Sequence, residues 1–259
     1  MLKELQETLK YRYVIYNYVY SSLKQKYRRS FLGFLWSVAA PLLQNLIIGV
    51  VFYYLMRFDM PNYLVYLFAG TVIFNIMSAV IVQSPYIMLN NESFIKKIYV
   101  PKLVYVLQVI LFEITNFVFI MISLLVLGIV FGKLSFSVHY LFLPIPILLS
   151  VLFLVGIAII ISITTIYFRD LQHIVPVVMQ AAFFLTPVLY PPSIIPAPLQ
   201  RVISFNPFYY FVEIFRTVVL QNQLPSTTHI VLCAGMAFLM LSAGLAVLDK
   251  FDNKIIFKL

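Results

Sequence analysis

Few residues of this chain have the types and spacing that covalent chemistry needs. The run GIVFGKLS, Gly128 to Ser135, is a near match to a phosphate-binding loop. It has three residues between its glycines where four are required, and its serine is displaced. The run also closes an apolar stretch, where Gly128 and Gly132 read instead as a small-residue helix contact. His139, His173 and His229 are far apart, and no group of Cys, His or Asp has metal-ligand spacing. The single cysteine, Cys233, allows no intramolecular disulfide. Glu113 is the one clear ionisable residue inside an apolar stretch. Proton or ion coupling takes more such groups, or paired broken helices in two related halves, and no internal repeat is evident. Nucleotide, metal, hydrolytic and ion-coupled chemistry are therefore not expected of this polypeptide, and it should carry no cofactor of its own.

What remains is a chain built for lipid. Hydrophobic residues occupy 63% of 259 positions and charged residues only 10%, against roughly 25% charged in a soluble domain. Six stretches approach the roughly 20 apolar residues that cross a bilayer: 35–56, 63–82, 103–131, 143–166, 174–190 and 228–247. The third is longer than one crossing needs, so it tilts or begins along the interface before Glu113. With the N-terminus inside, fourteen of the eighteen Lys and Arg face the cytoplasm. Arg57, Lys133, Arg201 and Arg216 are the four outside. Six crossings and two cytoplasmic termini follow from that bias. The net charge of +9 then marks cytoplasmic loops and anionic lipid rather than nucleic acid. The first thirty residues lack the short apolar core and cleavage site of a secretory leader. The expected fold is an all-α integral membrane protein, with residues 1–34 a cytoplasmic interfacial amphipathic helix and 35–259 a six-helix transmembrane domain.

Four features outside the spans invite a role. In the N-terminal segment, Leu9, Tyr13, Tyr16 and Tyr20 recur at helical spacing among basic residues, the pattern of a helix lying in the headgroup region. It serves as a plain topology anchor, or takes part in substrate entrance or packing on a partner. The loop SPYIMLNNESFIKKIYVPK, Ser84 to Lys102, has turn-forming Asn90 and Asn91, then an apolar stretch around Phe94, Ile95, Ile98 and Tyr99. A short helix of that kind is either a charged membrane loop or a piece that docks in a partner's groove. Arg169 and Asp170 hold the same position in a second inner loop. Between the last two spans, Pro187, Pro191, Pro192, Pro196 and Pro198 forbid a continuous helix. Asn206-Pro207 then opens a helix too short to cross, with Glu213 and Arg216 three apart on one face. That is an outer re-entrant hairpin lining a cavity, or an amphipathic anchor. Aromatic residues make up 17% of the chain. Their flat faces suit the C–H faces of sugars, and Phe52, Tyr53, Tyr54, Phe183 and Phe184 are the span residues best placed to line a path.

These segments together resemble a known family. The run LKQKYRRSFLGFLWSVAAPLL (Leu23 to Leu43), then LFAGTVIFN, NNESFIKKIYVPK, FRDL, FLTPVLYPPSIIP and FNPFYYFVEIFR, are similar in content and order to type-2 ABC-transporter permeases of the polysaccharide-exporting branch. Within it the O-antigen exporters are most alike, with teichoic-acid and capsule exporters near. The resemblance spans essentially the whole chain. It implies a homodimer with two copies of a separate nucleotide-binding ATPase that holds the ATP and Mg, and a lipid-linked polysaccharide as substrate. It implies a channel lined by the first, second and fifth spans. Asn91, Glu92, Phe94, Lys96, Lys97 and Tyr99 would form the main ATPase coupling helix, and Arg169 and Asp170 the second contact. The hairpin from Pro187 through Asn206 and Glu213 to Arg216 would form the outer gate region. The N-terminal helix would sit at the substrate entrance, and Arg28 and Arg29 have the charge to meet a pyrophosphate there. From a different class, a membrane-embedded enzyme acting on lipid-linked glycans would work without any ATPase, and a scaffold would be dispensable for export.

Overall fold

A computed structural model describes residues 7–28, 30–56, 60–132 and 137–259, leaving aside the side chains at 56, 60, 61, 253, 254 and 257. Among these residues every regular element is helical. After a helical turn at 7–10 come α1 (Arg12–Tyr27), α2 (Trp36–Met56), α3 (Met60–Gln83), α4 (Tyr86–Asn90) and α5 (Glu92–Lys97). They are followed by α6 (Lys102–Val130), α7 (Pro144–Tyr167), α8 (Leu171–Leu185), α9 (Ala197–Ser204), α10 (Pro207–Arg216) and α11 (Thr227–Lys258). Of the basic residues counted from sequence, Lys3, Arg29, Arg57 and Lys133 lie outside the described residues.

Among the described residues, five helical stretches are long and apolar enough to cross a membrane: Gly33–Leu55, Asn62–Gln83, Lys102–Val130, Val138–Tyr167 and Thr227–Asp252. The sixth stretch expected from sequence, 174–190, becomes the 15-residue α8. At 1.5 Å per residue it covers about 22 Å, short of the roughly 30 Å hydrocarbon core. Its early end has a local cause. Pro187 disfavours helical backbone at Thr186, which sits at φ −95°, ψ 134°, and the Thr186 hydroxyl turns back onto the Ala182 carbonyl at 2.7 Å. At the other extreme, α11 runs 32 residues, well past the stretch 228–247. Ser226 caps it, its hydroxyl accepting from the His229 N–H at 3.3 Å.

The bundle is built around α3, whose Phe68, Val72, Phe74 and Met77 are buried against its neighbours. Lipid offers apolar helices no hydrophobic reason to associate, so close packing must hold them. The clearest case joins α7 to α11. A Cβ on Gly156 would meet the Met240 carbonyl oxygen at 2.1 Å, and one on Gly244 would meet the Gly156 carbonyl oxygen at 2.6 Å. The two backbones touch where neither helix has a side chain. Gly132 differs from the helix-contact reading made of it. It lies at φ 62° with nothing described within 4 Å of a Cβ, and its N–H bonds the Ile129 carbonyl at 3.0 Å. It ends α6 as a left-handed cap.

Two contacts fix which ends lie together. Lys102, at the start of α6, pairs with Asp252 near the end of α11 at 2.8 Å, and the Tyr167 ring meets Phe251 at 5.6 Å. The start of α6 and the ends of α7 and α11 therefore share one end, here termed the basic end. The Tyr209 and Tyr210 rings meet His229 at 6.3 and 5.4 Å, which puts α10 with the start of α11 at the opposite, hairpin end. Between Tyr167 and His229 the chain passes from one end to the other.

Candidate functional site

The loop that follows α3 folds as two short helices hinged at Asn91, whose Nδ2 donates to the Ile87 carbonyl at 2.8 Å. The apolar stretch foreseen here divides. Ile95 turns inward and is buried in the core, while Phe94, Ile98 and Tyr99 are 60%, 58% and 65% exposed. A helix of six residues is too short to stand alone. Ile95 anchors it and the Lys96–Glu92 pair, 2.6 Å apart, spans one turn. The Lys96 hydrogen bond, then its charge, and in smaller part the charge of Arg169, hold the Glu92 carboxyl below its ordinary range. Arg169, exposed beside Asp170 between α7 and α8, therefore lies within electrostatic reach of α5. The Tyr86 hydroxyl also donates to the Gln172 carbonyl at 3.4 Å. The two loops form one surface, with Lys97 exposed beside it.

This surface is tied to the N-terminal segment. The Tyr11 hydroxyl donates to the Tyr99 carbonyl at 3.1 Å, and the Tyr99 hydroxyl to Glu7 Oε2 at 3.4 Å. Leu9 in the preceding turn and Tyr13, Tyr16 and Tyr20 on α1 are all exposed, with Tyr16 and Tyr20 stacked at 6.5 Å, while Ile15 on the opposite side is buried. The helix thus lies along the bundle with its aromatic row turned away from it. At its C-terminal end, Lys26 Nζ donates to Asn116 Oδ1 at 2.8 Å. Asn116 donates to one Glu113 oxygen at 3.1 Å, and Gln83 Nε2 to the other at 2.5 Å. Glu113 is therefore not an isolated charge. It is the buried centre of a relay joining α1, α6 and α3. Lys26 and Asn116 also border a cavity of about 420 Å³, closed by Tyr27, Ser37 and Pro41. Nothing in the spacing of Lys26, Gln83 and Asn116 announced that meeting. Arg28 is exposed and edges a separate shallow hollow of about 500 Å³ with Tyr20 and Phe34. Arg29 lies outside the described residues.

At the hairpin end, Asn206 caps α10 as its sequence requires, its side chain accepting from the Phe208 N–H at 3.0 Å. Glu213 and Arg216 do pair, at 3.7 Å. The stronger partners of Arg216 come from elsewhere. Its Nη1 donates to the Tyr66 hydroxyl at 2.8 Å and the Pro187 carbonyl at 3.0 Å, and the guanidinium lies 3.9 Å from the centre of the Tyr66 ring. Arg216 is 2% exposed, and Gly70 leaves the space it fills: a Cβ there would sit 2.2 Å from Nη2. This clamp fastens α10 and Pro187 to α3. The five aromatics expected to line a path separate. Phe52 stacks on Tyr63 at 5.9 Å and Phe183 packs edge-on to Phe74 at 5.3 Å, while Tyr53, Tyr54 and Phe184 point away from the core.

The arrangement defines a multi-span helical membrane protein that presents a compact two-loop surface at one end and a clamped, proline-rich hairpin at the other. Among the described residues no group of His, Cys, Asp and Glu is placed to hold a metal. The profile of the family described as ABC-2 type transporter matches residues 14–220, and the chain belongs to that family. It is 28% identical over 252 residues to the O-antigen export system permease protein RfbA of Myxococcus xanthus, covering 96% of each chain. It is 30% identical to a protein of the same name from Klebsiella pneumoniae, over 90% of this chain and 89% of that one. The polysialic acid transport protein KpsM of Escherichia coli is 22% identical, over 87% and 88%.

Proposed function

We propose that this chain is the membrane permease of an ATP-driven exporter of lipid-linked polysaccharide, of the O-antigen class, in the inner membrane. Two copies form the channel, and two copies of a separate ATPase hold the ATP and Mg and supply the energy of hydrolysis. The observation that carries this is the two-loop surface. Phe94, Ile98 and Tyr99 stand exposed on a helix pinned by Ile95, beside Arg169 and Asp170, as an apolar contact framed by charge. Such a surface fits a groove on a partner. The names borne by its relatives supply the substrate class, and the more distant likeness to KpsM keeps capsular polysaccharide as the second reading.

In this reading α8 is the fifth of six crossings, completed by the segment beyond Thr186. The pairing of Lys102 with Asp252 supports it: with α8 not crossing, those residues would fall on opposite sides. The basic end is then cytoplasmic, as the charge bias asks, with both termini there. The exposed aromatic row of α1 lies at headgroup depth, and the segment before α2 forms the substrate entrance. The hairpin from Pro187 to Arg216 is the outer gate region. ATP-driven closure of the partner pushes α5 and the Arg169–Asp170 loop, and Ile95 passes the push into the core around α3.

Phe94→Asp places a charge where an apolar side chain should dock. In proteoliposomes holding the chain and its ATPase, it should lower ATP-driven polysaccharide translocation about tenfold or more, equivalent to at least 1.4 kcal/mol of coupling, with insertion and dimer formation unchanged. Normal translocation by that variant would remove the docking role of α5.

A further inference from the structure

At mid-depth, one face of the bundle carries neutral polar side chains where a lipid-facing surface would carry none. Gln44 is the middle residue of the apolar stretch Gly33–Leu55, Asn75 and Ser78 belong to α3, and Gln180 to α8. They meet in a recess of about 260 Å³ whose wall includes Phe74 and Phe183. Behind them, Asn45 and Thr71 bond one another at 3.1 Å, and Asn45 Nδ2 bonds the Pro41 carbonyl at 2.9 Å, so those two are occupied. Among the described residues Gln44, Asn75 and Gln180 have no such partner, and Gln44 and Gln180 are exposed. An amide turned to hydrocarbon loses its hydration with nothing in return, so polar groups within the membrane face a partner or a wet cavity.

We propose that this recess is a hydrogen-bonding station for the hydroxyl groups of the polysaccharide as it crosses, a step that rests on the export reading above. Each amide offers donors and acceptors together, as a sugar hydroxyl does. The half-buried ring of Phe183, backed edge-on by the buried Phe74, supplies the flat apolar wall that the C–H face of a sugar needs. Among the described residues no charged side chain borders the recess. Its grip is therefore weak and indifferent to the charge of the sugar, which suits a chain that must slide past without being held. The rival occupant is a second copy of this chain, whose amides would pair across the seam. The concave shape favours the glycan, since amides on the floor of a hollow meet a facing helix less well than a ring that enters it.

Two measurements on the chain assembled with its ATPase decide the matter. In the first, cysteine is placed at 44, 75 or 180 and exposed to a membrane-impermeant sulfonate methanethiosulfonate without substrate. The native Cys233 is fully buried and should stay silent. The expected result is labelling at all three positions and none at Val178→Cys, an exposed apolar site on α8. In the second, Gln44→Leu, Asn75→Leu and Gln180→Leu combined should cut polysaccharide export about tenfold, from loss of three modest hydrogen bonds. Complex assembly should be unchanged, and Gln44→Asn, Asn75→Gln and Gln180→Asn should restore most of the export. Unlabelled cysteines, or disulfides forming between copies at these positions, would overturn the proposal. So would labelling accompanied by normal export from the triple leucine variant. Labelling is read without substrate, so failure of the wild-type complex to export any polysaccharide would count against the exporter reading alone.

Discussion

Arg216 shows how a single side chain can organise one end of this molecule. A guanidinium at 2% exposure is tolerable only when its charge and donors are met. Here Tyr66, Pro187, Val188 and Glu213 meet its charge and its Nη donors, Nε alone having no partner among the described residues, and Gly70 provides the room. Arg216→Met should destabilise the folded protein by about 3 kcal/mol, as when one partner of a buried pair is removed, read as a lower unfolding temperature in detergent. Gly70→Ala should act through the same contact, so adding it to Arg216→Met should cost little more. Additive losses would show that the two residues act separately. The Glu213–Arg216 pair was legible from a spacing of three. Tyr66, 150 residues away, was not, because nothing local to either segment specifies it.

The relay from Lys26 to Glu113 makes a second case at this scale. Lys26→Met should strand the Glu113 carboxylate in the bundle and lower the yield of folded protein, and Glu113→Gln should restore it. If the double variant folds no better than the single one, Lys26 is not the counter-ion. On α5 the sign of the pH dependence is fixed by Glu92. Its carboxyl sits below the ordinary 4.5, so the Lys96 pair is intact at neutral pH and fades only as the medium falls below that value. The pair is exposed, so salt weakens it.

Among the elements, α7 and α11 form the most intimate pair. Gly156→Leu would drive a side chain into the Met240 carbonyl and should abolish the folded protein, whereas Gly235→Leu, with open space at its Cβ, should be tolerated. Comparing the monodisperse fraction of the two after solubilisation checks this, and equal behaviour would deny that the backbones touch. Hydropathy found the long spans because length and apolarity alone define them. It overran α8, because it saw continuous apolar residues from 174 to 190 and gave too little weight to Pro187. Of the two glycines read as a helix contact, Gly132 is a helix cap instead, while Gly156 and Gly244, which bring two backbones together, are 88 residues apart in sequence. The loop after α3 was legible because Asn90, Asn91 and Pro101 punctuate it strongly. Which of their apolar residues turns inward was settled only by packing: Ile95 buries and Phe94 does not.

For the whole molecule, the distribution of charge and of clamps points one way. The basic end is exposed, paired loop to loop and tied to the N-terminal segment, while the hairpin end is locked to α3 through Arg216. A device that receives force at one end and opens at the other needs that division. Under the exporter proposal, the bundle takes its energy through the loops at the basic end.

The most direct measurement compares polysaccharide translocation into proteoliposomes holding the chain alone with that into vesicles holding the chain and its ATPase. Translocation should require both the ATPase and ATP, and the chain alone should neither move nor modify the lipid-linked glycan. Undiminished transport, or chemical alteration of the glycan, by the chain alone would contradict the claim that its driving force is borrowed.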